Sequence, residues 1–152
     1  MGALKEGGHE ITLDMADADA IIINTCGFIE PAVNEAVENI LEAAQVKKPD
    51  AKLIVTGCMT ERFKNDVAGE LPEIDFHTGV GQMSDVIAYL EGLTPEKTGE
   101  RNFLYGGARV LTGVPFSAYI KISEGCNNRC SYCTIPSIRG NLTGREIESV
   151  IA

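Results

Sequence analysis

The chain has 152 residues, 44% of them hydrophobic and 23% charged, with 16 glycines, 6% aromatic residues and no tryptophan. That is the composition of a globular α/β protein, and it excludes a disordered, collagen-like or coiled-coil chain. Charge is unevenly spread: residues 1–100 carry seven basic against nineteen acidic side chains and residues 101–152 six against three, within a net charge of −9, so the first part offers no basic face for phosphates.

The longest wholly aliphatic stretch, Ala20 to Ile23, is far below the roughly 20 residues that cross a bilayer. The first residues also lack the basic-then-apolar layout of an export signal. Both observations point to a cytoplasmic chain with no membrane partner.

In chain order, Ile11 to Leu13 reads as a weak strand, and the β-branched run Ala20-Ile21-Ile22-Ile23-Asn24 as a central strand of a sheet covered on both faces. From Pro31, the residues Val33, Ala36, Val37, Ile40, Leu41 and Ala44 form one apolar stripe at helical spacing, with Pro31 in the permitted first turn. Lys52 to Thr56 repeats the strand signal, Gly57-Cys58 reads as a turn, and Phe63, Val67 and Leu71 mark a short helix that Pro72 ends. A weaker strand spans Asp75 to Thr78. Ser84 is a candidate cap for a helix carrying Val86, Ile87 and Leu90 up to Gly92. Strands alternating with helices at this spacing predict a mostly parallel sheet.

Glycines and prolines between Gly92 and Pro115 predict a linker with one hairpin, which sets boundaries at 1–92, 93–115 and 116–152. Ser117 to Ser123 alternates as a strand would. Thr143-Gly144-Arg145-Glu146 has capping-box spacing ahead of a helix with Ile147, Val150 and Ile151. One strand, one loop and two helical turns cannot bury a core of their own, so the chain is expected to be a truncated form of something longer.

Five cysteines make an odd number and argue against a disulfide framework. Cys126, Cys130 and Cys133 have C-x3-C-x2-C spacing just past a predicted strand. Three thiolates on a four-iron cluster leave one iron open to a small molecule. The competing reading is structural zinc, which normally takes four ligands, and the two histidines, His9 and His77, lie in the first domain, as ordinary surface or strand-end residues. Cys26 and Cys58 each follow a predicted parallel strand, so both belong at the carboxyl edge of one sheet, where such folds place ligands. Taken alone, each reads first as a small buried core residue. Gly79-Val80-Gly81 lacks the third glycine of a dinucleotide site.

The segment Gly125-Cys126-Asn127-Asn128-Arg129-Cys130-Ser131-Tyr132-Cys133-Thr134-Ile135-Pro136-Ser137-Ile138-Arg139-Gly140 resembles the cluster segment of radical S-adenosylmethionine methylthiotransferases. Asn24-Thr25-Cys26-Gly27-Phe28-Ile29 and Pro136-Ser137-Ile138-Arg139-Gly140 are most similar to the RimO branch, which modifies an aspartate of a small-subunit ribosomal protein. The resemblance covers nearly all of the chain. It implies a methylthiotransferase N-terminal domain with a mostly parallel sheet, followed by the beginning of a radical SAM (β/α) partial barrel.

By that resemblance, Cys126, Cys130 and Cys133 hold a 4Fe-4S cluster whose open iron takes S-adenosyl-L-methionine, with Tyr132 near the adenine. Tyr132 fits packing under the loop as well. Cys26 and Cys58 are implied ligands of a second 4Fe-4S cluster, together with a third cysteine nearer the N-terminus that this chain lacks. Met1 to Glu6 resembles the end of a first helix. The implied chemistry is reductive cleavage of S-adenosylmethionine to a 5'-deoxyadenosyl radical, hydrogen abstraction from the aspartate β-carbon and transfer of a methylthio group. No single residue is singled out as catalytic beyond these ligands. Arg129 and Arg139 suit either carboxylate contacts or plain exposure.

The partners implied are a small-subunit ribosomal protein and a reductant such as flavodoxin or ferredoxin, with nucleic acid contacted only through a C-terminal domain not present here. The chain by itself is expected to be inactive. Two alternatives remain at this point: methylthiolation of a tRNA adenosine beside the anticodon, and a non-catalytic binding module.

Overall fold

The computed structural model describes residues 1–95, 109–111 and 113–151. Most of the predicted linker, with its hairpin, therefore lies outside the described residues. The chain divides into two compact units, Thr12–Arg101 and a second made of Met1–Ile11 with Asn102–Ala152.

The first unit is an α/β layer structure. Strand β1 (Ala20–Thr25) and strand β2 (Lys52–Gly57) run parallel in register from Ala20 opposite Lys52 to Thr25 opposite Gly57, and β3 (Phe76–His77) pairs parallel with the other edge of β2. The central strand is thus β2 rather than the Ala20 run. Leu53, Ile54 and Val55 are completely buried, as expected of a parallel strand covered on both faces.

Helix α2 (Glu30–Val46) crosses between β1 and β2 and lays Ala36, Ile40 and Ala43 into the core with Ile21, Leu53 and Val55. It follows α1 (Gly2–Glu6) of the other unit in chain order. Pro31 sits in its first turn, and the helix stops at Lys47, which is extended at ψ 150° ahead of Lys48-Pro49. Each fully buried Ile, Leu or Val contributes about 1.5–3 kcal/mol relative to exposure.

Several local expectations are corrected. Ile11 to Leu13 forms no strand, and Leu13 is fully exposed: Ile11-Thr12-Leu13 is only three residues long and has no partner strand among the described residues. Gly57-Cys58 is not a turn. Gly57 ends β2 and Cys58 opens α3 (Cys58–Arg62) directly, with α4 (Lys64–Glu70) following after a break at Phe63. Ser84 caps nothing. Helix α5 (Met83–Leu90) starts after Gln82, whose side-chain oxygen instead accepts from the Gly79 N–H at 2.9 Å and the Thr78 hydroxyl at 3.0 Å.

Asp75 ties β3 to the centre of the sheet. Its Oδ2 accepts from the Leu53 N–H at 2.8 Å and pairs with Lys47 at 3.4 Å, and its own N–H donates to the Leu53 carbonyl at 2.9 Å. Partial burial pushes its pKa up, but the Leu53 N–H, the Lys47 hydrogen bond and the charges of Lys47 and Lys52 outweigh it and hold the carboxyl below its ordinary value. A depressed carboxylate contributes stability above its unfolded pKa, about 3.9, that is lost as pH falls through the folded value. The urea midpoint should therefore drop as pH is lowered from about 5 to about 3, and drop less in Asp75→Asn, which starts from a lower midpoint at neutral pH.

In the second unit, β4 (Ser123–Glu124) pairs antiparallel with β5 (Thr143–Gly144), Glu124 opposite Thr143. Between them lie the cysteine loop and a helix that the sequence did not suggest, α6 (Ile135–Arg139). Helix α7 (Ile147–Ile151) follows. Residues 117–122 are exposed and irregular, so the alternation there yields only the single strand residue Ser123. The capping box is not formed either: Thr143 is spent in the ladder, and Arg145 instead donates to Ser149 within the last helix.

Candidate functional site

The carboxyl edge of the parallel sheet gathers Cys26, one residue past β1, and Cys58, one residue past β2, beyond the paired Thr25 and Gly57. Cys26 is exposed and Cys58 buried. Three side-chain hydroxyls stitch this edge together: Thr25 donates to the Thr56 carbonyl at 2.7 Å, Thr56 to the Gly79 carbonyl at 3.1 Å, and Thr60 to the Thr78 carbonyl at 2.7 Å. All three threonines are buried. Glu61, also buried, pairs with Lys64 at 3.1 Å. Arg62 donates to the Gly27 carbonyl at 2.7 Å.

The second set of thiols sits on one loop. Cys126 and Cys133 are half-buried and Cys130 is exposed, and none of the chain's five cysteines is in a disulfide. The loop is closed at its base. The Cys126 N–H donates to the Gly140 carbonyl at 3.1 Å, the Leu142 N–H to Asn127 Oδ1 at 3.0 Å, and the Cys133 N–H to the Cys130 carbonyl at 3.1 Å, which folds the last two thiols into one turn.

Glu124 locks that base. Its nearly buried carboxylate accepts from the Arg139 guanidinium at 2.8 and 3.1 Å, pairs with Lys121, and accepts from the Gly125 N–H at 3.2 Å. Burial raises its pKa, yet Lys121, Arg139 and the Gly125 N–H together hold it below the ordinary glutamate range. Sequence reasoning missed Glu124. Its signal was the presence of an acid in the basic last third of the chain, one residue ahead of the glycine and the first clustered cysteine. It also left Arg139 open between carboxylate contact and plain exposure, and the structure gives it a carboxylate within the fold.

Tyr132 is 88% exposed, which rules out packing under the loop and leaves the ring available to a ligand. His77 ends β3, as a strand-end residue should, whereas His9 is half-buried, with Nε2 shut off from solvent and lacking a hydrogen-bond partner among the described residues.

Among the described residues, no three His, Cys, Asp or Glu side chains converge on one metal position. The donor chemistry of the 126–133 loop nevertheless fits an iron–sulfur cluster: three soft thiols within eight residues, all bordering solvent, on a loop pinned at both ends. The sheet edge supplies two thiols. Two alone do not make the three-cysteine set that the resemblance implies for a second cluster.

Residues 1–79 match the model of a family described as Uncharacterized protein family UPF0004. The chain is 47% identical over 160 aligned residues, 99% of its length, to a protein of Caldicellulosiruptor saccharolyticus named ribosomal protein uS12 methylthiotransferase RimO. Proteins of the same name from Helicobacter pylori G27 and Syntrophomonas wolfei are 45% and 42% identical over 94% and 99% of the chain. The chain spans about a third of the length of these curated relatives, 36%, 33% and 36% respectively. No helix among the described residues is long and apolar enough to cross a membrane. With more than half of its residues matched by that model, the chain belongs to the family UPF0004, and along nearly its whole length it is similar to RimO methylthiotransferases.

Proposed function

We propose that this chain is part of a radical SAM methylthiotransferase that adds a methylthio group to the β-carbon of an aspartate in a small-subunit ribosomal protein. The observation that carries the reading is the coincidence of the pinned three-thiol loop with 47% identity, over 99% of the chain, to a protein named for uS12 methylthiolation. In this reading residues 1–92 form the methylthiotransferase domain, 93–115 the linker and 116–152 the opening of the partial barrel, in a cytoplasmic protein served by a flavodoxin or ferredoxin.

Cys126, Cys130 and Cys133 would hold a 4Fe-4S cluster by three irons. When bound, that cluster supplies an open iron for S-adenosyl-L-methionine and the electron for its reductive cleavage. The chain's own contribution is positional. The Glu124–Arg139 pair keeps the loop ends together, and the Cys130–Cys133 hydrogen bond keeps the last two cysteines within one turn of chain. Tyr132, projecting from between them, offers an exposed ring on which an adenine can stack. Cys26 and Cys58, at the sheet edge, are the residues offered to a sulfur-bearing group.

Mass spectrometry of ribosomal proteins and tRNA from source cells with and without the gene tests the assignment. A methylthio increment on the uS12 protein that disappears with the gene is the expected result. Its persistence on uS12, with loss of a methylthio group from tRNA, would move the assignment to the adenosine beside the anticodon.

A further inference from the structure

The geometry points to Arg62 as a positioning residue that clamps the segment after β1 onto the first turn of α3, making the thiols of Cys26 and Cys58 one two-sulfur site for a thiophilic ligand. The inference deepens the proposed function and rests on that reading for its biological meaning, but its physical content needs neither iron nor S-adenosylmethionine.

Three observations carry it. The Arg62 guanidinium donates to the Gly27 carbonyl at 2.7 Å, a charge-assisted bond spanning 35 residues of sequence. Gly27 lies so close to α3 that a Cβ on it would stand 2.6 Å from the Cys58 carbonyl oxygen and 2.7 Å from the Met59 nitrogen, so no larger residue fits without separating the two segments. The guanidinium is itself held, 4.9 Å above the ring of Phe63, a residue packed against the hydrophobic core. Gly27 directly follows Cys26, and Arg62 is one helical turn on from Cys58. The one hydrogen bond therefore fixes both cysteines' backbones relative to each other at a place where the β1–β2 ladder has already ended, at Thr25 and Gly57.

The test uses the full 152-residue chain with Cys126, Cys130 and Cys133 replaced by serine, reduced and free of oxygen. The probe is phenylarsonous acid, PhAs(OH)2, which reacts with two neighbouring thiols to form two As–S bonds and release two waters, with no change of oxidation state. The expected result is one arsenic per chain with both thiols consumed. Arg62→Ala should weaken this by about tenfold, the size of one lost charge-assisted hydrogen bond, and Arg62→Lys should restore part of it. Gly27→Ala should weaken it as well, without touching the guanidinium.

Urea midpoints measured in parallel separate positioning from general stability. If Arg62→Ala lowers the midpoint but leaves arsenical affinity unchanged, the clamp is structural only and the inference fails. Failure of the parent to bridge the two thiols overturns it too, while leaving the three-thiol loop and the proposed activity untouched.

Discussion

Gly57→Ala should unfold the first unit at markedly lower urea, with a loss of about 3 kcal/mol or more. Two costs add at this position. Gly57 has φ 112° and ψ −160°, a region that side-chain-bearing residues avoid at about 1–3 kcal/mol. A Cβ there would also lie 2.4 Å from the Thr25 carbonyl oxygen and 2.7 Å from its nitrogen. Those atoms belong to a strand paired with β2 itself, so relief requires parting the end of the ladder, an overpacking cost of about 1–3 kcal/mol. Circular dichroism through a urea titration measures it. A loss below about 1 kcal/mol would mean that the two strand ends do not approach as described, and the shared placement of Cys26 and Cys58 would lose its basis.

The second large effect concerns the cysteine loop. Glu124→Ala removes the carboxylate that receives Arg139, Lys121 and the Gly125 N–H at once. Breaking a buried ion pair costs about 3–5 kcal/mol. Arg139 retains 31% exposure and recovers some hydration, so about 2–3 kcal/mol is the expected loss here. The damage should be local, because the cluster of buried apolar side chains lies in the other unit. Hydrogen exchange of the Cys126 amide, bonded to the Gly140 carbonyl, should accelerate about 30-fold or more, while the amides of β2 remain unchanged. Glu124→Gln, which keeps the shape and one acceptor, should fall between. Equal exchange in parent and Glu124→Ala would show that the loop closes without this pair.

The parallel sheet was legible because its signals were redundant. β-branched runs marked β1 and β2, and a 3.6-residue stripe marked α2 between them, so pattern and connection agreed. What was not legible depended on partners. Ser117 to Ser123 alternates as a strand does, but β5 offers it only Gly144 and Thr143, and those pair with Ser123 and Glu124. Thr143 carries a capping signature and is used in that ladder instead. Helix α6 is a five-residue turn seeded by Pro136, too short to show a period.

At the candidate sites the cysteines were found by spacing, and their chemistry by resemblance. The groups that hold them in place were not found. Arg62 and Glu124 act through contacts 35 and 15 residues away, to Gly27 and Arg139, and no local window contains both partners.

The most direct measurement is metal and acid-labile sulfide analysis of the full chain carrying Cys26→Ser and Cys58→Ser, reconstituted without oxygen with iron and sulfide in the presence of equimolar zinc. The account predicts about four irons and four sulfides per chain, lost on further replacement of any one of Cys126, Cys130 or Cys133. A single tightly held zinc with no sulfide would contradict it, turning the loop into a structural metal site and removing the ground for radical chemistry.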